Sequence, residues 1–146
     1  MNYVLMNEQH VTQVAELERL CFSAPWSENA IRGELTNPLS LWIVAVDGET
    51  VVGYVGSQSV IDEADMMNLA VLPEYRRSGV GCQLVNKLIE RLRNNNVSCL
   101  TLEVRASNEP AKSLYEGCGF LRVGCRPNYY SSPKEDALIY RKEWEV

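Results

Sequence analysis

Apolar residues return along this chain at two spacings, and the alternation between them sets out the elements. Val11, Val14, Leu17, Leu20 and Cys21 recur at helical spacing, which predicts an amphipathic helix over 9–21 after a short strand at 3–5. Ser23-Ala24-Pro25-Trp26-Ser27 breaks it, and Ser27 suits the N-cap of a second short helix reaching about Leu35. Asn37-Pro38 ends that helix. A strand over 41–46, a turn at Asp47-Gly48 and a longer strand over 50–60 form a hairpin, and a further strand over 65–71 stops at Pro73. After Gly79, residues Val80, Leu84, Val85, Leu88, Ile89 and Leu92 mark one face of a helix running to about Arg93, closed by Asn94-Asn95-Asn96. Over 99–104, Leu100, Leu102 and Val104 point one way and Cys99, Thr101 and Glu103 the other. Asn108 caps a helix with Ala111, Leu114, Tyr115 and Cys118 inside; Gly119 ends it, and strands near 120–126 and 136–142 follow. The order β-αα-βββ-α-β-α-ββ predicts an α/β (α+β) fold, a mixed sheet with helices packed on its faces.

Composition narrows the class. The 146 residues, 46% hydrophobic and 23% charged, fit one globular domain. The longest apolar run, 41–46, falls far short of the ~20 residues of a membrane span. No positive charge precedes Arg19 and no long apolar stretch follows it, so no secretory signal is expected and the cytoplasm is. A net charge of −5 argues against nucleic acid and suits a cationic partner. Five cysteines, none spaced C-x-x-C, and one histidine, His10, argue against both a disulfide framework and a metal site.

The most informative segment is Pro73-Glu74-Tyr75-Arg76-Arg77-Ser78-Gly79-Val80-Gly81-Cys82, which joins a strand to a helix. A helix start leaves backbone N–H groups unpaired, small residues let an anion approach them, and the helix dipole favours it. Arg76 and Arg77 add positive charge in an acidic chain. This chemistry suits a pyrophosphate, with Gly81 small so that the phosphates can come close. The turn alone equally fits glycines kept for backbone geometry. No Lys-Ser/Thr follows Gly81, which excludes a Walker A loop. A dinucleotide fingerprint shares Gly79-x-Gly81, with Glu103 placed as a ribose ligand, but its third glycine position is Leu84 and the turn follows the fourth strand.

Arg76-x-x-Gly79-x-Gly81, between a strand and an amphipathic helix, resembles the coenzyme A pyrophosphate loop of the GCN5-related N-acetyltransferase superfamily. The resemblance extends through Pro25-Trp26-Ser27-Glu28, Asn68-Leu69-Ala70-Val71, Leu102-Glu103-Val104-Arg105-Ala106-Ser107-Asn108, Leu114-Tyr115-Glu116, Gly119-Phe120 and Asn128-Tyr129-Tyr130. It covers nearly the whole chain and is closest to the bacterial branch that acetylates the N-terminal alanine of ribosomal proteins. It implies one acetyltransferase domain over 1–146, with a mixed, mostly antiparallel sheet and helices on both faces. It also implies acetyl-CoA as donor, no metal, and direct attack of an amine without an acyl-enzyme. The implied acceptor is the N-terminal alanine of the eighteenth small-subunit ribosomal protein, and the implied assembly is a monomer or weak dimer. Broader N-terminal or lysine acetylation, or coenzyme A binding without catalysis, are the alternatives.

The resemblance also implies roles. Arg76 and the backbone N–H groups of Arg77, Ser78, Gly79, Val80, Gly81 and Cys82 would cradle the pyrophosphate. Leu69, Ala70 and Val71 would pair with the pantetheine arm as an added strand, in a gap left by splayed strands. The Leu69 N–H would polarise the thioester carbonyl. An α-amine has a pKa of about 7.7–8.0, so a base is useful near neutrality. Glu103 would act as that base through a water, with Glu63 and Asp65 as rival carboxylates. Tyr115 would donate a proton to the leaving thiolate, and Asn108 would both cap its helix and touch the cofactor. Trp26, Tyr129 and Tyr130 would flank the acceptor. By residue type alone, a strand glutamate is commonly a solvated charge, Tyr115 suits a core, and so do Trp26 and Tyr129.

Overall fold

Each helix starts where the chain offers it a cap. In the computed structural model, which describes residues 1–146, α1 (Glu8–Cys21) follows strand β1 (Asn2–Leu5). The Asn7 side chain accepts from Gln9 N, and the Asn7 N–H donates to His10 Nδ1 at 3.1 Å. The lone histidine is thus part of a capping box. Ser27 caps α2 (Glu28–Glu34) through Ala30 N, and Asn108 caps α4 (Glu109–Gly117) through Ala111 N. Helix α3 (Val80–Asn94) has no side-chain cap; its N-cap is Gly79, held at φ +89°.

The strands β2 (Ser40–Asp47), β3 (Thr50–Val60), β4 (Glu63–Val71), β5 (Cys99–Arg105), β6 (Leu121–Tyr130) and β7 (Glu135–Glu143) join β1 in one seven-stranded sheet. Its order is β1-β2-β3-β4-β5-β7-β6, antiparallel everywhere except between β4 and β5. Period-two alternation sends side chains to two cores. Ile43, Ala45, Val55, Leu100, Leu102 and Val104 pack with α3 and α4, whereas Trp42, Val44, Tyr54 and Ala70 pack with α1 and α2. Gly56 makes the second core possible: a Cβ there would lie 2.3 Å from the Trp42 ring.

Two expectations shift. Strand β4 begins two residues earlier, at Glu63. Strand β6 runs on to Tyr130, through Pro127 and an Asn128 at φ +55°. An edge strand tolerates both, because only one side of it is paired. The Asn128 N–H is satisfied by Asp136 Oδ1 at 2.8 Å.

The sheet divides down its middle. Strands β4 and β5 pair only through Glu63↔Cys99, Ala64↔Leu100 and Asp65↔Thr101. Beyond that point β4 stays with β3 and β5 stays with β7, so the two halves diverge. A β-bulge at the same place, where Gly56 faces Asn68 but Ser57 faces Met66, leaves Met67 as the extra residue. No helix is long and apolar enough to cross a membrane.

Candidate active site

The divergence opens a cleft of about 1300 Å³. Its walls follow from strand geometry. Leu72 N donates to Val52 O, so this residue pair is a hydrogen-bonded one of the β3/β4 ladder. Alternation then turns the N–H and C=O of Val71 and Leu69 away from β3, into the gap. The Leu69 N–H therefore faces the cleft as a free donor. The Val71 carbonyl does not stay free, because Arg76 Nε donates to it at 2.9 Å. Arg76 thereby folds the following loop back onto the end of β4.

That loop presents a run of donors. A 3-10 turn at Pro73–Tyr75 leads to Arg77 at φ +61° and Gly79 at φ +89°, and the Ser78 hydroxyl donates to the Tyr75 carbonyl. The first bond into α3 is Gln83 N to Gly79 O. The N–H groups of Arg77, Ser78, Gly79, Val80, Gly81 and Cys82 have no acceptor in the protein. Arg77, Gly79, Gly81 and Cys82 line the cleft; Val80 buries its side chain in the core, and Ser78 spends its hydroxyl on the turn. The expectation for Gly81 needs correction. A Cβ there would meet Leu114 of α4 at 3.2 and 3.4 Å, so its smallness lets two helices approach. Gly79, by contrast, has open space around it and is required by its positive φ.

Glu103 stands on β5 opposite the α3-packed Leu102 and Val104 and lines the cleft. Its Oε1 lies 3.5 Å from Arg126, while Oε2 is buried without a hydrogen-bond partner. Tyr115 comes from α4 on the other face. It is 7% exposed, and its hydroxyl donates to Met66 Sδ at 3.5 Å. Burial pushes the Tyr115 phenol well above its ordinary value, so it remains protonated at neutral pH. Asn108 lines the cleft between them in sequence.

Tyr129 and Tyr130 meet edge to face at 5.1 Å and wall the cleft from the end of β6. Arg105 stacks on Tyr130 at 4.3 Å and donates to the carbonyls of Pro133 and Ser131, pinning the β6–β7 turn beside the site. Burial, with Glu103 nearby, raises the Tyr130 pKa. Trp26 is not brought into the cleft. Its ring packs edge-on against Trp42 at 5.5 Å in the α1/α2 core, and Cys21, Phe22 and Ser23 hold the position by the cleft. The rival carboxylate Asp65 lines the cleft too; Glu63 pairs with Arg141 instead.

Sequence reasoning missed Asn68, Arg126 and Glu18. The buried Glu18 had a signal: it falls at the i, i+3, i+7 spacing of Val11 and Val14, on the apolar stripe of α1. Its carboxylate accepts from the Tyr54 hydroxyl, Asn68 Nδ2 at 2.6 Å and Trp26 N at 3.0 Å.

A parallel-sheet dinucleotide fold is excluded, since β4 is antiparallel to β3 and barely pairs with β5. Residues 11–120 match the family model described as acetyltransferase (GNAT) family. The chain belongs to this family. Among its GNAT relatives, the [ribosomal protein bS18]-alanine N-acetyltransferase of Haemophilus influenzae is 38% identical over 130 residues, 85% of this chain and 86% of the relative. The crystal structure of the ribosomal-protein-S18-alanine N-acetyltransferase from Escherichia coli superposes with a TM-score of 0.89 at 31% identity, covering 99% of this chain and 94% of that one. Arabidopsis thaliana NAA60 in complex with acetyl-CoA shares the fold, with a TM-score of 0.86 at 18% identity and 97% of each chain covered.

Proposed function

We infer that this GNAT-family protein moves an acetyl group from acetyl-CoA to the N-terminal alanine of ribosomal protein bS18, in the cytoplasm. The observation that carries the reading is continuity. Six unpaired N–H groups at the start of α3 lead into a split sheet where the Leu69 N–H, Glu103 and Tyr115 line one cleft. The relatives with that named activity supply the acceptor.

Bound acetyl-CoA supplies an activated thioester. The N–H groups of residues 77–82 hold its pyrophosphate at the positive end of α3. The Leu69 N–H donates to the carbonyl oxygen, where negative charge grows as the amine attacks. Glu103 takes the amine's proton through a water, a reading supported by an Oε2 that has no hydrogen-bond partner of its own. Tyr115 gives its proton to the departing thiolate, since burial keeps the phenol protonated. Arg126 holds Glu103 in place before the acceptor arrives.

The test compares two peptides with acetyl-CoA by mass spectrometry. One has a free N-terminal alanine; the other has that end blocked and carries an internal lysine. Acetylation of the first and not the second is expected. A lysine amine has a pKa of about 10.4, so far less of it is free base near neutrality. Equal rates would replace the N-terminal reading with lysine acetylation.

A further inference from the structure

The bulge in β4 has a chemical consequence on the α1 face of the sheet. Residues on a regular strand alternate between faces, yet Met67 packs in the α1/α2 core and the next side chain, Asn68, also reaches α1. Met66 and Leu69, on either side, pack with α3. The extra residue therefore delivers a polar side chain into the cleft immediately before the Leu69 N–H.

How Asn68 presents itself is decided by Glu18. Both Glu18 oxygens already face donors, Oε1 the Tyr54 hydroxyl and Oε2 Trp26 N, so the end of the amide facing Oε1 at 2.6 Å is Nδ2. Glu18 is 0% exposed and is held by two further donors, the Tyr54 hydroxyl and Trp26 N, so it cannot turn aside. Burial, and then the hydrogen bond to Glu18, raise the Tyr54 pKa, which keeps that hydroxyl a donor. With Nδ2 committed, Asn68 offers the cleft its acceptor, Oδ1. Glu103 offers a second acceptor from β5 across the split, on the face opposite the α3 core. An attacking amine carries N–H groups and needs acceptors around it, whereas the thioester oxygen needs the donor that Leu69 provides.

The geometry points to Asn68 as an acceptor-binding residue that takes a hydrogen bond from the attacking amine, with Glu18 as the positioning residue that fixes its amide. This rests on the reading that an amine meets acetyl-CoA in this cleft. The same buried carboxylate ties the Trp26 backbone, and so the α1–α2 connection beside Phe22, to the cofactor strand. One group thus sets the distance between the acceptor wall and the acetyl donor.

Asn68→Ala in the full-length enzyme is the direct test. A hydrogen bond to a charged or charging group implies a loss of about 10–100-fold in kcat/KM, carried by the KM for the alanine peptide. The KM for acetyl-CoA and the affinity for coenzyme A should not change. Calorimetry on the coenzyme A complex should show that wild type favours the free-amine peptide over its N-acetylated form, and that Asn68→Ala reduces this preference, with Glu103 still in place. Glu18→Gln gives the amide an alternative orientation and should raise the same KM with acetyl-CoA KM unchanged; if it does not fold, Asn68→Ala still decides. Unchanged peptide KM and preference in Asn68→Ala would overturn the proposal, as would a parallel loss of coenzyme A affinity. If wild type acetylates a lysine peptide instead, the N-terminal reading fails, and the same comparison on that peptide still decides the role of Asn68.

Discussion

The two glycines of the loop should respond oppositely to alanine, because they are glycines for different reasons. Gly79 sits at φ +89° with nothing within 4 Å of a built Cβ. Alanine there is free of clashes but strains the backbone by ~1–2 kcal/mol. In a domain of this size that lowers Tm by about 3–8 °C. Relief of the strain would re-aim the N–H groups of residues 77–82, so coenzyme A should bind at least ~10-fold more weakly, the equivalent of one charge-assisted hydrogen bond. Gly81 is the second residue of α3, and a Cβ would press the Leu114 methyl groups at 3.2 and 3.4 Å. Leu114 is only partly buried and borders the cleft, so it can give by the few tenths of an ångström required. Against that cost stands a helix-propensity gain of at most ~0.5–1 kcal/mol, the full figure for a helix interior. Gly81→Ala should therefore stay within about 0.5 kcal/mol of wild type and bind coenzyme A within about twofold. Thermal denaturation and calorimetry on both variants make the measurement. A folded Gly81→Ala protein that loses as much coenzyme A affinity as Gly79→Ala would refute the reasoning and mean that Gly81 lacks a side chain for the ligand rather than for Leu114.

The remaining expectations concern single groups. Tyr115→Phe keeps the packed ring and should lower kcat by ~10²–10⁴-fold with coenzyme A affinity preserved; wild-type turnover would remove Tyr115 as the proton donor. Glu103→Gln should lose most activity on the alanine peptide near neutrality and regain part of it at high pH, where the amine deprotonates itself; an unrescued pH–rate profile would count against the base role. Gly56→Ala forces a methyl to within 2.3 Å of the Trp42 ring and should cost at least ~1–3 kcal/mol in urea denaturation. Partial burial holds His10 below its ordinary pKa, and its Nδ1 must be unprotonated to accept from Asn7. The folded state thus binds fewer protons there than the unfolded one, so this stabilisation is present above about pH 6.5 and declines as pH falls below it. Wild type should therefore lose stability over that interval and His10→Ala should not show that component.

Helices were legible in the sequence because apolar spacing and caps act locally. The stripe from Val80 to Leu92 and the caps Ser27 and Asn108 all stand where their chemistry places them. The run of unpaired N–H groups in the loop was legible for the same reason, since a glycine start exposes them whatever the tertiary setting. Features that depend on a partner across space were not. Nothing in Met66-Met67-Asn68-Leu69 shows that one residue bulges out of register, because the mismatch is with β3. Gly81 faces a helix 33 residues further on, and Trp26 is drawn inward by Trp42. The strand expected near 120–126 continues through Pro127 and Asn128 because β6 lies at the edge of the sheet.

Hydrogen–deuterium exchange with and without coenzyme A tests the central claim most directly. The amides of residues 77–82 have no acceptor in the protein, and the Leu69 amide faces the gap between β4 and β5. Coenzyme A should slow exchange at residues 77–82, and acetyl-CoA, which brings the carbonyl that Leu69 donates to, should slow it at Leu69 as well; these segments lie on either side of the 3-10 turn, and the paired β2–β3 hairpin should not change. Protection elsewhere, with residues 77–82 and 69 exchanging as before, would contradict the assignment of the split sheet and its loop as the seat of acetyl transfer.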